Sequence, residues 1–187
     1  MVAKFSWKVL GPVSILGIVG LGAGAYVFQP WKAFVDTEVE ESLPTIQPTA
    51  DKTTELSDDE TVTSEQAITE PIVLAQGSLI SQEYETSGTV KILELGDGSR
   101  VLRLENLDTS DGPRVEVWLT DAPVLEGRDG WFVFGDAKYE SLGAMKGNKG
   151  NQNYKIPDDL DLSEFTSVSL WCVTFSVSFG AAELSPS

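Results

Sequence analysis

The 187-residue chain contains no histidine, and that absence removes whole classes of chemistry. A Ser-His-Asp or Cys-His hydrolase needs an imidazole as its base, and the usual zinc sites need histidine or several cysteines. Cysteine occurs once, at Cys172, so the chain cannot run a dithiol–disulfide cycle unaided and has no motif for covalent haem attachment. Positive charge is also scarce, with 13 basic against 29 acidic residues and a net charge of −16. Phosphate neutralisation by Lys and Arg supplies most nucleic-acid affinity, so nucleic acid is excluded as a partner. The glycines at 143 and 147 have the wrong spacing for a phosphate loop, and no long amphipathic helix is visible.

One long apolar run is present. Val9 to Phe28 holds twenty residues without a charge, enough to span a hydrocarbon core at 1.5 Å per residue. Lys4 and Lys8 precede it and acidic sequence follows Lys32, so the basic side is expected to stay in the cytoplasm. This predicts a single-pass cell-membrane protein whose carboxy-terminal bulk is extracytoplasmic, with the membrane itself as a partner. Trp31 falls at the expected interface, and Gly20 and Gly24 form a weak small-xxx-small pair. Ala23-Gly24-Ala25 also resembles a signal-peptidase site, and cleavage there would make the protein secreted.

Charge divides the chain into residues 1–28, with two lysines, then 29–75, with two basic and eleven acidic residues, and then 76–187. The middle segment is rich in Thr, Glu, Asp, Ser and Pro, with isolated apolar residues at no period, and is expected to be a disordered acidic tether. The last segment has short β-type runs broken by turns. Thr89–Leu95 and Ser99–Leu107 flank Gly96-Asp97-Gly98, a hairpin signal. In Arg114–Thr120, Val115, Val117 and Leu119 share one face and Glu116, Trp118 and Thr120 the other. Further strands are expected over Trp131–Phe134, Ser141–Met145, Gln152–Ile156 and Ser167–Phe179, with Ala182–Leu184 as a final edge. The pattern predicts an all-β domain, a single sandwich or barrel. Asp158, Asp159, Asp161 and Glu164 lack the spacing of a calcium loop and read as a solvated turn; no metal site is expected.

Within Ser167–Phe179 the apolar alternation changes phase at Leu170-Trp171, which predicts a bulge or a bend between sheets. Cys172 lies just after it. A lone thiol invites cross-linking in an oxidising compartment, so three roles stay open: a packed core residue, a redox or haem-thiolate centre, and an intermolecular disulfide. A haem version would need Met145, a tyrosine, an amine or water opposite Cys172; the cofactor is otherwise unknown. Trp171, with Phe175 and Phe179, is a candidate electron relay, although aromatics at strand spacing are commonly core. The second candidate site is the polar stretch Gly147, Asn148, Gly150, Asn151, Gln152 and Tyr154. Its amides offer paired donors and acceptors to a polar ligand such as a surface glycan, with Trp118 and Trp131 extending the face if exposed. The alternative is a tight turn capped by its own amides.

The order Gly88-Thr89-Val90, Asn106, Gly112-Pro113, Val117-Trp118-Leu119, then Lys146-Gly-Asn-Lys-Gly-Asn-Gln-Asn-Tyr-Lys-Ile-Pro157 and the Trp171-Cys172 strand resembles the DM-thirteen domain over roughly residues 77–185. The resemblance implies an extracellular β-rich module found in surface proteins, with an electron-transfer role built on its characteristic cysteine, here Cys172, and hence a redox partner protein. The expected function is a membrane-anchored extracytoplasmic redox module; the alternative is a non-catalytic surface binding or adhesion module in which Cys172 only packs. Val124–Tyr139 is longer than the family's usual connection.

Overall fold

The structure, a computed structural model, describes residues 36–44 and 70–187. The expected anchor at Val9–Phe28, its flanking lysines, the Ala25 cleavage site and most of the tether lie outside the described residues. Eleven strands among the described residues form two sheets. The first contains β1 (Glu38–Glu40), β8 (Lys149–Ile156), β5 (Arg100–Asp108), β4 (Ser87–Glu94), β2 (Ile72–Ser78) and β11 (Ser185–Pro186), in that spatial order. The second contains β3 (Ile80–Ser81), β10 (Val177–Glu183), β9 (Ser167–Cys172), β6 (Val115–Thr120) and β7 (Tyr139–Ala144).

The all-β expectation follows from side-chain alternation. Val90 and Ile92 on β4, Leu102 and Leu104 on β5, and Tyr154 and Ile156 on β8 face one way. They meet Val115, Val117 and Leu119 of β6 and Val168, Leu170 and Cys172 of β9 in a single core between the sheets. Period-2 patterning places each set on one face, and burying both faces against each other is what makes a sandwich. The Gly96-Asp97-Gly98 turn joins β4 to β5 as predicted, with Gly98 at φ 81° and the Ser99 amide donating to Asp97 Oδ1 at 2.8 Å.

Three expectations change. Ser167–Phe179 is a hairpin of two strands, β9 and β10, rather than one run with a bulge. Its turn carries Ser176 at φ 53° and Phe175 at the tip, 62% exposed. The apparent phase switch therefore marks chain reversal; Cys172 stays in phase with Val168 and Leu170, facing the core. Trp131–Phe134 belongs to a pair of 3-10 turns, Gly127–Gly130 and Val133–Gly135, instead of a strand. And the segment expected to be tether, 29–75, contributes two strands: β2 begins at Ile72, and β1 adds a parallel edge strand beside β8, Glu38 opposite Lys149 and Glu40 opposite Asn151.

Candidate functional site

Cys172 and Trp171 are neighbours in β9 and so point to opposite faces of the second sheet. The thiol points inward, is 0% exposed, and donates to the Pro113 carbonyl at 3.2 Å. That carbonyl is presented by the Gly112-Pro113-Arg114 turn, in which Arg114 adopts φ 55° and Gly112 is required because a Cβ there would run into the Phe179 ring. The Val173 amide closes the same turn on Arg114 O at 3.0 Å.

Trp171 points outward and meets a second, smaller core under the 3-10 turns, with Trp118, Phe134, Ala122 and Ala181. Its ring lies 5.2 Å from Trp118 and edge-on to Phe134 at 6.5 Å. Trp118 in turn stacks on Tyr139, the first residue of β7, at 3.7 Å between centroids and 5° between planes. Burial falls along this series, from 3% and 5% exposure at Trp171 and Trp118 to 47% at Tyr139. The three rings therefore run from the interior to solvent. They line a cleft of about 450 Å³ with Phe132, Gly135, Asp136, Val173 and Ser176. Glu116 anchors the arrangement: it accepts the Trp118 indole N–H at 3.0 Å and the Ser141 hydroxyl at 2.9 Å. The indole bond holds its carboxyl below the usual range, helped by Ser141 and Arg114 and opposed by partial burial.

The polar stretch after β7 is organised differently. Gln152 is fully enclosed, accepting from the Lys146 amide at 3.1 Å and the Tyr154 hydroxyl at 2.6 Å and donating to Gly147 O at 2.7 Å. Burial pushes the Tyr154 phenol up to about 12, partly offset by the Lys146 amide and reinforced by the Glu41 charge. Asn148 donates to Thr109 O at 2.9 Å and Asp36 Oδ1 at 2.8 Å, and accepts the Thr37 amide at 2.7 Å. Asn151 donates to Glu40 Oε2 at 2.6 Å and accepts from the Asn106 amide. Gly147 and Gly150 are needed for close approach, since a Cβ at either would strike the carbonyl of Thr37 or Val39. The amides of the predicted ligand loop are thus committed within the protein: Gln152 to its own loop and Tyr154, and Asn148 and Asn151 in part to Asp36, Thr37 and Glu40.

Of the residues expected to act with Cys172, Trp171 lies on the other face of the strand. Met145 lies across β6, its amide bonded to Val115 O at 2.8 Å while Val115 pairs with Cys172. Two strand spacings, about 10 Å, separate their backbones within one sheet. An axial pair must face each other across a macrocycle, so the enclosed thiol and Met145 do not fit a haem. Phe175 is exposed at the hairpin tip and Phe179 packs in the inter-sheet core, so neither extends the Trp171 stack. Trp118 is buried and Trp131 packs against the main core, with Arg128 over its ring at 5.9 Å, so the two do not make a shared exposed face. Asp161 caps the 3-10 turn Leu162–Glu164 by accepting the Ser163 amide. The residue that sequence reasoning missed is Tyr139; its signal was the outward phase of Trp118 beside an aromatic at the start of the neighbouring strand.

A two-sheet sandwich with a sealed thiol behind an aromatic stack is a small β module. Residues 78–184, more than half of the chain, match the family model described as electron transfer DM13, and the chain belongs to that family. Neither a curated protein nor a solved structure matches the chain.

Proposed function

We propose that the protein is a membrane-anchored, extracytoplasmic electron-transfer module that meets its redox partner over the Tyr139–Trp118–Trp171 flank. Family membership supports an electron-transfer-related role. The observation that carries the location is the graded stack, whose outer ring is half exposed and whose rings are 3.7 and 5.2 Å apart. Indole and phenol side chains can lose one electron to an oxidised partner and regain it from a donor, with the phenolic proton exchanging with solvent. Anchoring and orientation rest on the uncharged Val9–Phe28 run and the lysines before it. Cys172 packs in the core behind the stack, its thiol donating a hydrogen bond to Pro113 O.

A one-electron photo-oxidant free in solution, a ruthenium polypyridyl, tests this by radical trapping and mass spectrometry. Trapped radical is expected at Tyr139 and at the buried Trp118, the Trp118 signal falling at least tenfold in Tyr139→Leu and both unchanged in Cys172→Ala. Loss in Cys172→Ala with Tyr139→Leu unaffected would return the redox role to the thiol. Labelling that ignores all three positions would favour the second reading, a binding or adhesion module, to which the fully enclosed thiol already lends support.

A further inference from the structure

The cleft of about 450 Å³ beside the stack combines open aromatic rings with one unpaired carboxylate. Tyr139 gives one ring face to Trp118 and, at 47% exposure, leaves its other side to solvent. Phe132 is 49% exposed and meets Trp131 edge-on at 6.2 Å. Trp118 and Trp171 are buried and close the cleft from within. Asp136 is the one charged residue in the lining; it is exposed, and among the described residues no hydrogen bond or ion pair engages its carboxylate. The cations of the same flank are already committed: Arg114 to Glu116 at 3.4 Å, Lys138 to Glu164 at 2.5 Å, and Arg128 over the Trp131 ring at 5.9 Å.

We propose that this cleft binds a small organic cation, a quaternary ammonium group, against Phe132, Tyr139 and the Asp136 carboxylate. It occupies the same flank as the electron-transfer reading but does not rest on it, since binding requires no redox step. Three observations select the ligand. Aromatic faces carry the negative side of the ring quadrupole, so they attract a cation placed over them. The carboxylate adds a charge of the matching sign, and the lining holds no Lys or Arg to receive an anion. A primary ammonium brings three donors that each need an acceptor when they leave water, whereas a fully alkylated nitrogen brings none and presents methyl groups to the rings. A lining of four rings and Val173, with Asp136 and Ser176 as its polar side chains besides the Tyr139 and Trp termini, suits the alkylated ion. The volume lies within the range of small-molecule clefts, about 300–1,000 Å³.

Choline and its neutral isostere 3,3-dimethylbutan-1-ol, in which carbon replaces the charged nitrogen, test this by NMR titration of the full chain in a maltoside detergent. Choline is expected to shift the ring signals of Phe132 and Tyr139 saturably and to bind at least tenfold more tightly than the isostere. Asp136→Asn is expected to weaken choline at least tenfold and to leave the isostere unchanged. Tyr139→Leu is expected to weaken choline by a similar factor. Glu183→Gln removes the same charge from an exposed position outside the cleft and is expected to leave choline binding within twofold, which separates the site from the net charge of −16. Equal affinity for choline and the isostere, equal effects of Asp136→Asn and Glu183→Gln, or ring signals that choline does not move would each overturn the proposal. None of these outcomes bears on radical trapping at Tyr139, so the two readings fail separately.

Discussion

The aromatic flank of the second sheet and the polar edge of the first solve the same problem, covering a sheet boundary, in opposite ways. The flank is covered by a contiguous stretch, residues 127–137, whose Phe134 and Gly135 pack directly on Trp171. Its cohesion is apolar and non-directional, and it leaves Tyr139 open to solvent. The edge is covered by a strand brought from far away in sequence, and its cohesion is directional, made of hydrogen bonds and ion pairs. Apolar covering leaves an open cleft beside the stack, whereas the polar covering consumes the groups that would otherwise greet a ligand. A site rich in amides is therefore not, by that fact, an open site.

Removing the centre of the flank is expected to cost the most stability. Trp171→Ala deletes a 3% exposed indole between Trp118, Phe134 and Gly135, and is expected to cost about 3 to 5 kcal/mol in urea denaturation. Tyr139→Ala, at the exposed end, is expected to cost only about 0.5 to 1.5 kcal/mol. Equal costs at the two ends would show that burial does not grade the stack.

On the polar edge the gradient should follow hydrogen bonding. Gln152→Ala leaves the Gly147 carbonyl and the Lys146 amide with fewer partners in a site sealed from water, and about 1 to 3 kcal/mol of stability is expected to go with it. Asn151→Ala removes a partner of Glu40 near the surface and is expected to change stability by about 0.5 kcal/mol or less, while loosening β1 in hydrogen exchange. Comparable losses from both would mean that the edge is not cemented by Gln152.

How much of this was legible in the sequence follows from where each signal lives. The Gly96-Asp97-Gly98 hairpin and the Val115/Val117/Leu119 face were readable because turn chemistry and period-2 alternation are local. The β9–β10 reversal was not, because its turn carries apolar Val173 and Phe175 and reaches positive φ at Ser176 rather than at a glycine. The fate of the polar stretch was hidden for a different reason. Its residues were singled out correctly as unusual, but the distant partners of Asn148 and Asn151, Asp36, Thr37 and Glu40, lie in sequence of tether-like composition, and three paired residues carry no strand periodicity of their own. Cys172's inward phase required knowing that the chain turns after it.

The smallest expected effect is the pH dependence of β1 docking. Partial burial raises the Glu41 carboxyl, but the Lys146 and Asn153 hydrogen bonds and the charges of Lys146 and Arg103 together outweigh it and leave it below the usual value. The Asn148 and Lys149 hydrogen bonds lower Asp36 in the same direction. A carboxyl with a lowered value when docked binds fewer protons docked than free, so its contribution is fully present above the free value and is lost as pH falls through the lowered one. The docked population, followed by the NMR signals of the Val39 methyl groups, is therefore expected to hold constant from neutral pH down to the free carboxylate range near 4.5 and to decline below it. Asp36 is exposed and Glu41 partly so, and 1 M salt should therefore lower the docked fraction at neutral pH and flatten the decline. Glu41→Gln should remove most of the acid dependence and leave Trp171 and Tyr139 signals unmoved. A docked fraction that rises on acidification, or that ignores both acid and salt, would show that the acidic residues of β1 do not hold it to the edge.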